Sequence, residues 1–147
     1  MGIRVLETFE GLRAATSEQA AGSIGVGVSQ ILKSVLFVSD TAGTNATLVL
    51  LSGDRKVDVG KLSRVTGVGM RLARPEEVRL LLGFEVGAVP PVILKGEVRV
   101  LLDTSLSRHT VVVASAGTRD SLMKIVTEDL LRAYGAPEDI SVATPKG

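Results

Sequence analysis

The apolar positions of this chain come in short blocks separated by turn-forming residues, and the blocks differ in period. Ile3 to Phe9 interleaves apolar and charged residues and reads as a strand. Thr16-Ser-Glu-Gln19 places a hydroxyl three residues ahead of a glutamine, a capping-box pattern that opens a short Ala-rich helix ending near Gly25. Ser29 is placed to cap a further turn before Lys33. Ser34 to Ser39 and Thr47 to Leu51 are β-rich, and the turn formers from Asp40 to Asn45 between them predict a hairpin.

Helical spacing returns at Val59 to Val65, followed by a short strand over Met70 to Ala73. Pro75 suits a helix first turn and Glu76 and Glu77 suit its positive end, which predicts a helix from Pro75 to Leu82 stopped by Gly83. Gly87 to Pro91 is irregular, because neither Pro90 nor Pro91 can donate a backbone hydrogen bond. Val98 to Asp103, Thr110 to Ser115 and Leu122 to Val126 read as strands. Thr127 caps a last helix, Glu128 to Ala133, ended by Gly135, and Ile140 to Ala143 returns to the sheet. Strands and short helices without strict alternation predict an α+β fold. The expectation is one compact domain over residues 1–147, with a mixed, curved, barrel-like sheet and several short helices.

Composition narrows this picture. A chain of 147 residues buries roughly 70% of its unfolded surface, enough for one core. Aromatics are only 3% of the chain, so the core is aliphatic and a stacked-base platform is disfavoured. Without cysteine and with His109 as the one histidine, neither a disulfide framework nor a Cys/His metal site can form; no metal or cofactor is expected. Arg4, Glu7, Glu10 and Arg13 interrupt the N-terminal apolar residues, which excludes a signal-peptide core, and no uncharged apolar run reaches about 18 residues. The expected location is the cytoplasm, away from membranes.

Net charge is +1, so any nucleic-acid affinity has to be local. Between Gly53 and Arg74, the bases Arg55, Lys56, Lys61, Arg64, Arg71 and Arg74 face only Asp54 and Asp58. The cluster is either a solvated helix face or a phosphate-facing patch.

Most catalytic motifs are missing. There is no G-x-S-x-G elbow, and His109 beside Arg108 in a turn suits a surface histidine better than a triad base. Gly53 to Lys61 departs from a phosphate loop in glycine spacing and in having Leu62 where a magnesium-binding hydroxyl belongs. Gly25-Val-Gly27 and Gly67-Val-Gly69 lack the third glycine of a dinucleotide site. Asp54 and Asp58 suit solvated carboxylates better than an acid/base pair.

Four segments in order resemble the YbaK and prolyl-tRNA synthetase-associated editing-domain family: Ile31 to Phe37 around Lys33, Leu51 to Asp58, Gly83 to Pro91, and Val113 to Arg119. The resemblance spans about Thr16 to Tyr134. It implies that family's compact α+β fold and a trans-editing deacylase that hydrolyses the ester of a mischarged tRNA, such as tRNA for proline carrying Ala or Cys. The implied partners are the aminoacylated 3′ acceptor end and, as an open option, an aminoacyl-tRNA synthetase.

By the same resemblance, Lys33 grips a phosphate or ester oxygen, and the N–H groups of Gly87, Ala88 and Val89 face the aminoacyl carbonyl. Pro90, Ser115, Gly117 and Asp54 are then substrate-binding candidates, and Arg55, Lys56, Lys61, Arg64 and Arg71 candidate tRNA phosphate contacts. Such a site needs no histidine or metal, because a labile ester requires positioning and oxyanion donors more than acid/base help. Lys33, the Gly87 to Val89 N–H groups and Gly117 are expected around one concave pocket. Two departures stand out: Ala88 replaces a second loop glycine, and Phe84 replaces a frequent tyrosine. Three readings stay open: a freestanding editing enzyme, a non-catalytic tRNA- or synthetase-binding module that keeps the fold, and hydrolysis of a non-tRNA acyl ester.

Overall fold

The computed structural model describes residues 2–39, 46–92 and 98–144. The hairpin turn expected at Asp40 to Asn45 lies outside them. In chain order the elements are β1 (Val5–Phe9), α1 (Ser17–Ile24), β2 (Leu32–Ser39), β3 (Ala46–Ser52), β4 (Arg55–Val57), α2 (Val59–Thr66), β5 (Met70–Leu72), α3 (Pro75–Leu82), β6 (Val98–Leu102), β7 (Val111–Ser115), β8 (Leu122–Val126), α4 (Thr127–Tyr134) and β9 (Ser141–Ala143). Short 3₁₀ turns cover Val28–Gln30 and Thr104–Arg108.

The strands divide into three hydrogen-bonded sheets, ordered β1-β8-β7, β5-β2-β3-β6 and β4-β9. The central sheet is mixed: β2 and β3 pair antiparallel, as the hairpin pattern predicts, and β3 and β6 pair parallel. A single bridge between Ile31 and Val113 joins the central sheet to the first. The α+β expectation therefore holds, while the ladder is interrupted between sheets. The C-terminal strand, expected to rejoin the main sheet, pairs with β4 instead.

Burial follows from strand position. Leu48, Val49, Leu50 and Leu51 are all 0% exposed, because β3 is covered on both faces and its sequence is a continuous apolar run. One core cluster, with Leu36, Leu50, Val78, Val89, Leu106 and Ile125, lies on one side of the central sheet; another, with Phe37, Val49, Leu62 and Ile140, lies on the other. A third packs Ala14, Ala20 and Ala21 against Ile31, Val113 and Leu122. Main-chain and side-chain bonds from Arg4 to the buried Asp129 carboxylate tie the N-terminal strand to α4.

Local signals explain most boundaries. The Thr16 hydroxyl accepts from the Gln19 N–H, and Gly25 closes α1 in the left-handed region at φ 72°. Asp58 caps α2 by accepting from the Lys61 N–H, and Pro75 opens α3 with Gly83 closing it. Three expectations are corrected. Gly27, not Ser29, precedes the 3₁₀ turn, and the Ser29 hydroxyl instead meets His109 Nε2 at 3.0 Å. Thr127 is the first residue of α4, not its cap, and its hydroxyl is buried without a partner. Arg55 and Lys56, read as part of a helix face, lie on β4, so the basic run spans strand, helix and strand.

Candidate active site

The site lies at the start of β2, beside the Ile31–Val113 bridge between the central and first sheets. Just before β2, the Ile31 C=O accepts from Gly53 N–H on the β3 side, and on β2 the Leu36 C=O accepts from Ala73 N–H on the opposite side. Beside this strand is a cavity of about 70 Å³, walled by Lys33, Ser34, Gly87, Val89, Ser115 and the segment leading into α1 from Ala14 to Ser17, with Ala20 of α1 also on its wall.

The Lys33 ammonium makes no hydrogen bond or ion pair with any described residue. Burial holds its ammonium below the usual lysine range, and the carboxylates of Glu18 and Asp54 oppose that shift. The Ser34 hydroxyl oxygen is buried and has no partner either. An unpaired cation and an unpaired hydroxyl at one cavity are costly for a fold and useful for a ligand.

The facing loop is fixed by a close approach. Gly87 adopts φ +83°, and a Cβ there would stand 2.5 Å from the Ala15 carbonyl oxygen; only glycine lets this backbone lie against the entrance to α1. Gly53 has the same role on the other flank, where a Cβ would meet Val28 O at 2.7 Å and Ser17 Cβ at 2.8 Å. The N–H groups of Gly87 and Val89 bond to no described residue. Ala88 differs: its N–H donates to Glu85 O at 2.9 Å, and its side chain is buried outside the cavity. Ala88 is therefore removed from the donor set.

Among the other candidates, Ser115 lines the cavity, and its Oγ accepts from Gly117 N–H at 3.1 Å. Gly117 itself lies behind that turn, against Phe84, and Pro90 is buried below the loop; neither lines the cavity. Asp54 is held in a two-bond ion pair by Arg108, with Nη1 at 3.0 Å, so it acts on Lys33 through its field and not as a lining group.

The basic cluster is largely committed to the fold. Arg55 donates to Ser141 Oγ and O, Lys61 to Asp139 and to Ser141 O, and Arg71 to both oxygens of Glu77. Lys56 and Arg64 are exposed, and their side chains bond to no described residue. Among the described residues no group of three metal-ligating side chains converges.

Sequence reasoning missed Ala14, Ala15, Ser17 and Ala20 as cavity wall, and Ser34. The one available signal was the Thr16 cap, which fixes where α1 begins and hence what it presents to Lys33.

The sequence profile of the aminoacyl-tRNA editing domain matches residues 13–133. The chain belongs to that family. An uncharacterized protein, YwhH, of Bacillus subtilis (strain 168) is 37% identical over 117 residues, covering 80% of this chain and 73% of that protein. A proline–tRNA ligase of Nitratidesulfovibrio vulgaris (strain DP4) is 32% identical over 132 residues, covering 89% of this chain but 22% of the ligase, so the chain corresponds to about a fifth of such ligases. A crystal structure provisionally assigned as a trans-editing enzyme for prolyl tRNA synthetase superposes with a TM-score of 0.81 at 36% identity, covering 96% of this chain and 87% of that one. The editing-domain resemblance read from the four segments is thereby shown, and with it the fold. No helix among the described residues is long and apolar enough to cross a membrane.

Proposed function

We propose that this editing domain hydrolyses the ester of a mischarged tRNA, with tRNA for proline carrying a small amino acid such as alanine or cysteine as the first substrate to test. The observation that carries this reading is that Lys33, half-buried and with its ammonium unpaired among the described residues, lines one small cavity together with Gly87 and Val89, whose N–H groups bond to no described residue. In the proposed complex the ester carbonyl lies between them. As water or a substrate hydroxyl adds to the carbonyl carbon, negative charge gathers on its oxygen, and the proposed role of these donors is to bond that oxygen; each well-placed donor contributes roughly 3 kcal/mol to the transition state. The alanine-rich wall from Ala14, Ala15 and Ala20 leaves room for a small acyl side chain.

The comparison with proline–tRNA ligases and with the trans-editing structure supports tRNA for proline as the starting point. Since Arg55, Lys61 and Arg71 are engaged within the fold, phosphate contact through this cluster falls first to Lys56 and Arg64. A deacylation assay over a panel of mischarged tRNAs tests the reading. Turnover of one or more esters supports it; tRNA binding without turnover of any ester overturns it in favour of a non-catalytic module, and activity on small esters but no tRNA would sink the tRNA assignment.

A further inference from the structure

A second cavity, of about 200 Å³, abuts the first. Its walls are apolar: Leu72 and Ala73 at the end of β5, Pro75 and Val78 on α3, and Val86 ahead of the Gly87 loop. Ser34 and Val89 belong to both cavities, so the two share a partition. Among the described residues no basic side chain lines the slot. Leu72 and Val86 at its mouth are 61% and 46% exposed, large apolar side chains without cover.

The polar groups of this slot converge on Ser34. The side-chain oxygen is buried and unpartnered. The backbone adds two more: Ile31 directs its C=O to β3 and Leu36 directs its C=O to Ala73, so the two-residue alternation aims Ser34 N–H and C=O away from β3. On that edge β5 pairs from Phe37 to Ser39, and the bridge to β7 is at Ile31, so among the described residues no strand covers Ser34. An occupant that suits this slot has two apolar faces and a polar edge with a donor beside an acceptor. An aliphatic side chain satisfies the walls and leaves the Ser34 groups unpaired, and a phosphate meets no cation among the described lining residues.

We propose that the slot is the seat of the purine base of the terminal adenosine, held by its faces between Leu72, Val78 and Val86 and by its edge on Ser34; the inference rests on the ester-hydrolase reading. The shared partition then sets the ribose between the two cavities, with the acyl group beside Lys33 and the base beside α3. Aliphatic contact in place of aromatic stacking fits a chain with so few rings.

The experiment compares the alanyl ester of adenosine with the alanyl ester of base-free ribose, and separately titrates adenosine alone by calorimetry. In the parent, the adenosine ester is expected to show a KM roughly tenfold lower than the base-free ester. Leu72→Asp, on an exposed side chain, is expected to raise the KM of the adenosine ester roughly tenfold, spare its kcat, and leave the base-free ester unchanged; Val86→Asp repeats the test from the opposite wall. Equal KM values in the parent, or variants that slow both esters alike, overturn the proposal. So does a change in the ranking of different aminoacyl groups with no change in base dependence, which would put the acyl side chain in the slot. If the parent cleaves neither ester yet binds adenosine, and Leu72→Asp abolishes that binding, the base site stands and the hydrolase reading falls.

Discussion

Two polar regions of this molecule are built in opposite ways. At Asp103, a fully buried carboxylate accepts from Ser105 N–H at 3.0 Å, Ile140 N–H at 3.0 Å and Ser141 Oγ at 2.7 Å, and Arg55 braces Ser141 from outside. Burial alone would raise this carboxyl, but the bonds from Ser105, Ser141 and Ile140 outweigh it and hold the group below the usual range. At Lys33, an ammonium, a hydroxyl and two loop N–H groups meet no partner among the described residues. The Asp103 region spends every polar group on joining β6 to the C-terminal segment. The Lys33 region keeps its groups unspent, which costs stability and leaves them free for a ligand.

The largest expected effect tests the satisfied side. Asp103→Ala strips the acceptor from two buried N–H groups and a buried hydroxyl, and is expected to lower unfolding stability by about 4 kcal/mol. Urea unfolding measures it, and a loss under about 1 kcal/mol would mean that the network is not what holds β9 in place.

Lys33 is the next largest, and opposite in kind. Lys33→Ala is expected to slow single-turnover deacylation roughly a hundredfold while leaving the melting temperature level or slightly raised, since the change removes a desolvated charge. Lys33→Arg should rescue little, because a planar fork does not replace a compact ammonium in a small cavity. Rate should also fall as pH rises through the lowered Lys33 pKa, earlier than for an ordinary lysine. A Lys33→Ala protein as fast as the parent, or one that melts far lower, breaks the contrast.

Gly87 lies between these extremes, since it belongs to the site but is fixed by the fold. Gly87→Ala forces a side chain into φ +83° and against Ala15 O. It should cost about 2 kcal/mol of stability and also reduce turnover by moving the loop. Loss of stability with turnover intact would show that the loop N–H groups do not act on the ester.

How much of this was legible in the sequence depends on whether the signal was local. Thr16, Pro75, Gly25 and Gly83 announce the ends of α1 and α3 because capping chemistry lies within a few residues. The strand Arg55–Val57 was invisible, since three residues carry no period and their partner β9 is far along the chain. Lys33 and the Gly87 loop came from resemblance, and the structure brings Lys33, Gly87, Val89 and Ser115 to one cavity. The spent N–H of Ala88 was hidden because it depends on a turn back to Glu85. Alanine walls and an unpaired Ser34 hydroxyl leave no pattern at all; they acquire meaning only once α1 is folded against β2.

The smallest effect concerns the junction of β5 and α3, where Arg71 and Glu77 form a two-bond pair at 2.8 and 3.0 Å. Hydrogen bonding from the Arg71 side chain, aided by the Arg74 N–H, lowers the Glu77 carboxyl from 4.5 to about 2. A folded pKa below the unfolded one means that folding favours the charged form. The pair's contribution is therefore fully present above pH 4.5 and is lost as pH falls from there toward 2. Glu77→Gln should flatten the pH dependence of stability in that window, with parent and variant drawing together near its acid end. Because the pair is partly exposed, the difference should be small and should shrink in high salt. Urea midpoints measured across the window for both proteins decide it. Parallel curves would mean that the Arg71–Glu77 pair adds nothing to the fold, and that polar satisfaction supports this molecule only where it is buried, as at Asp103.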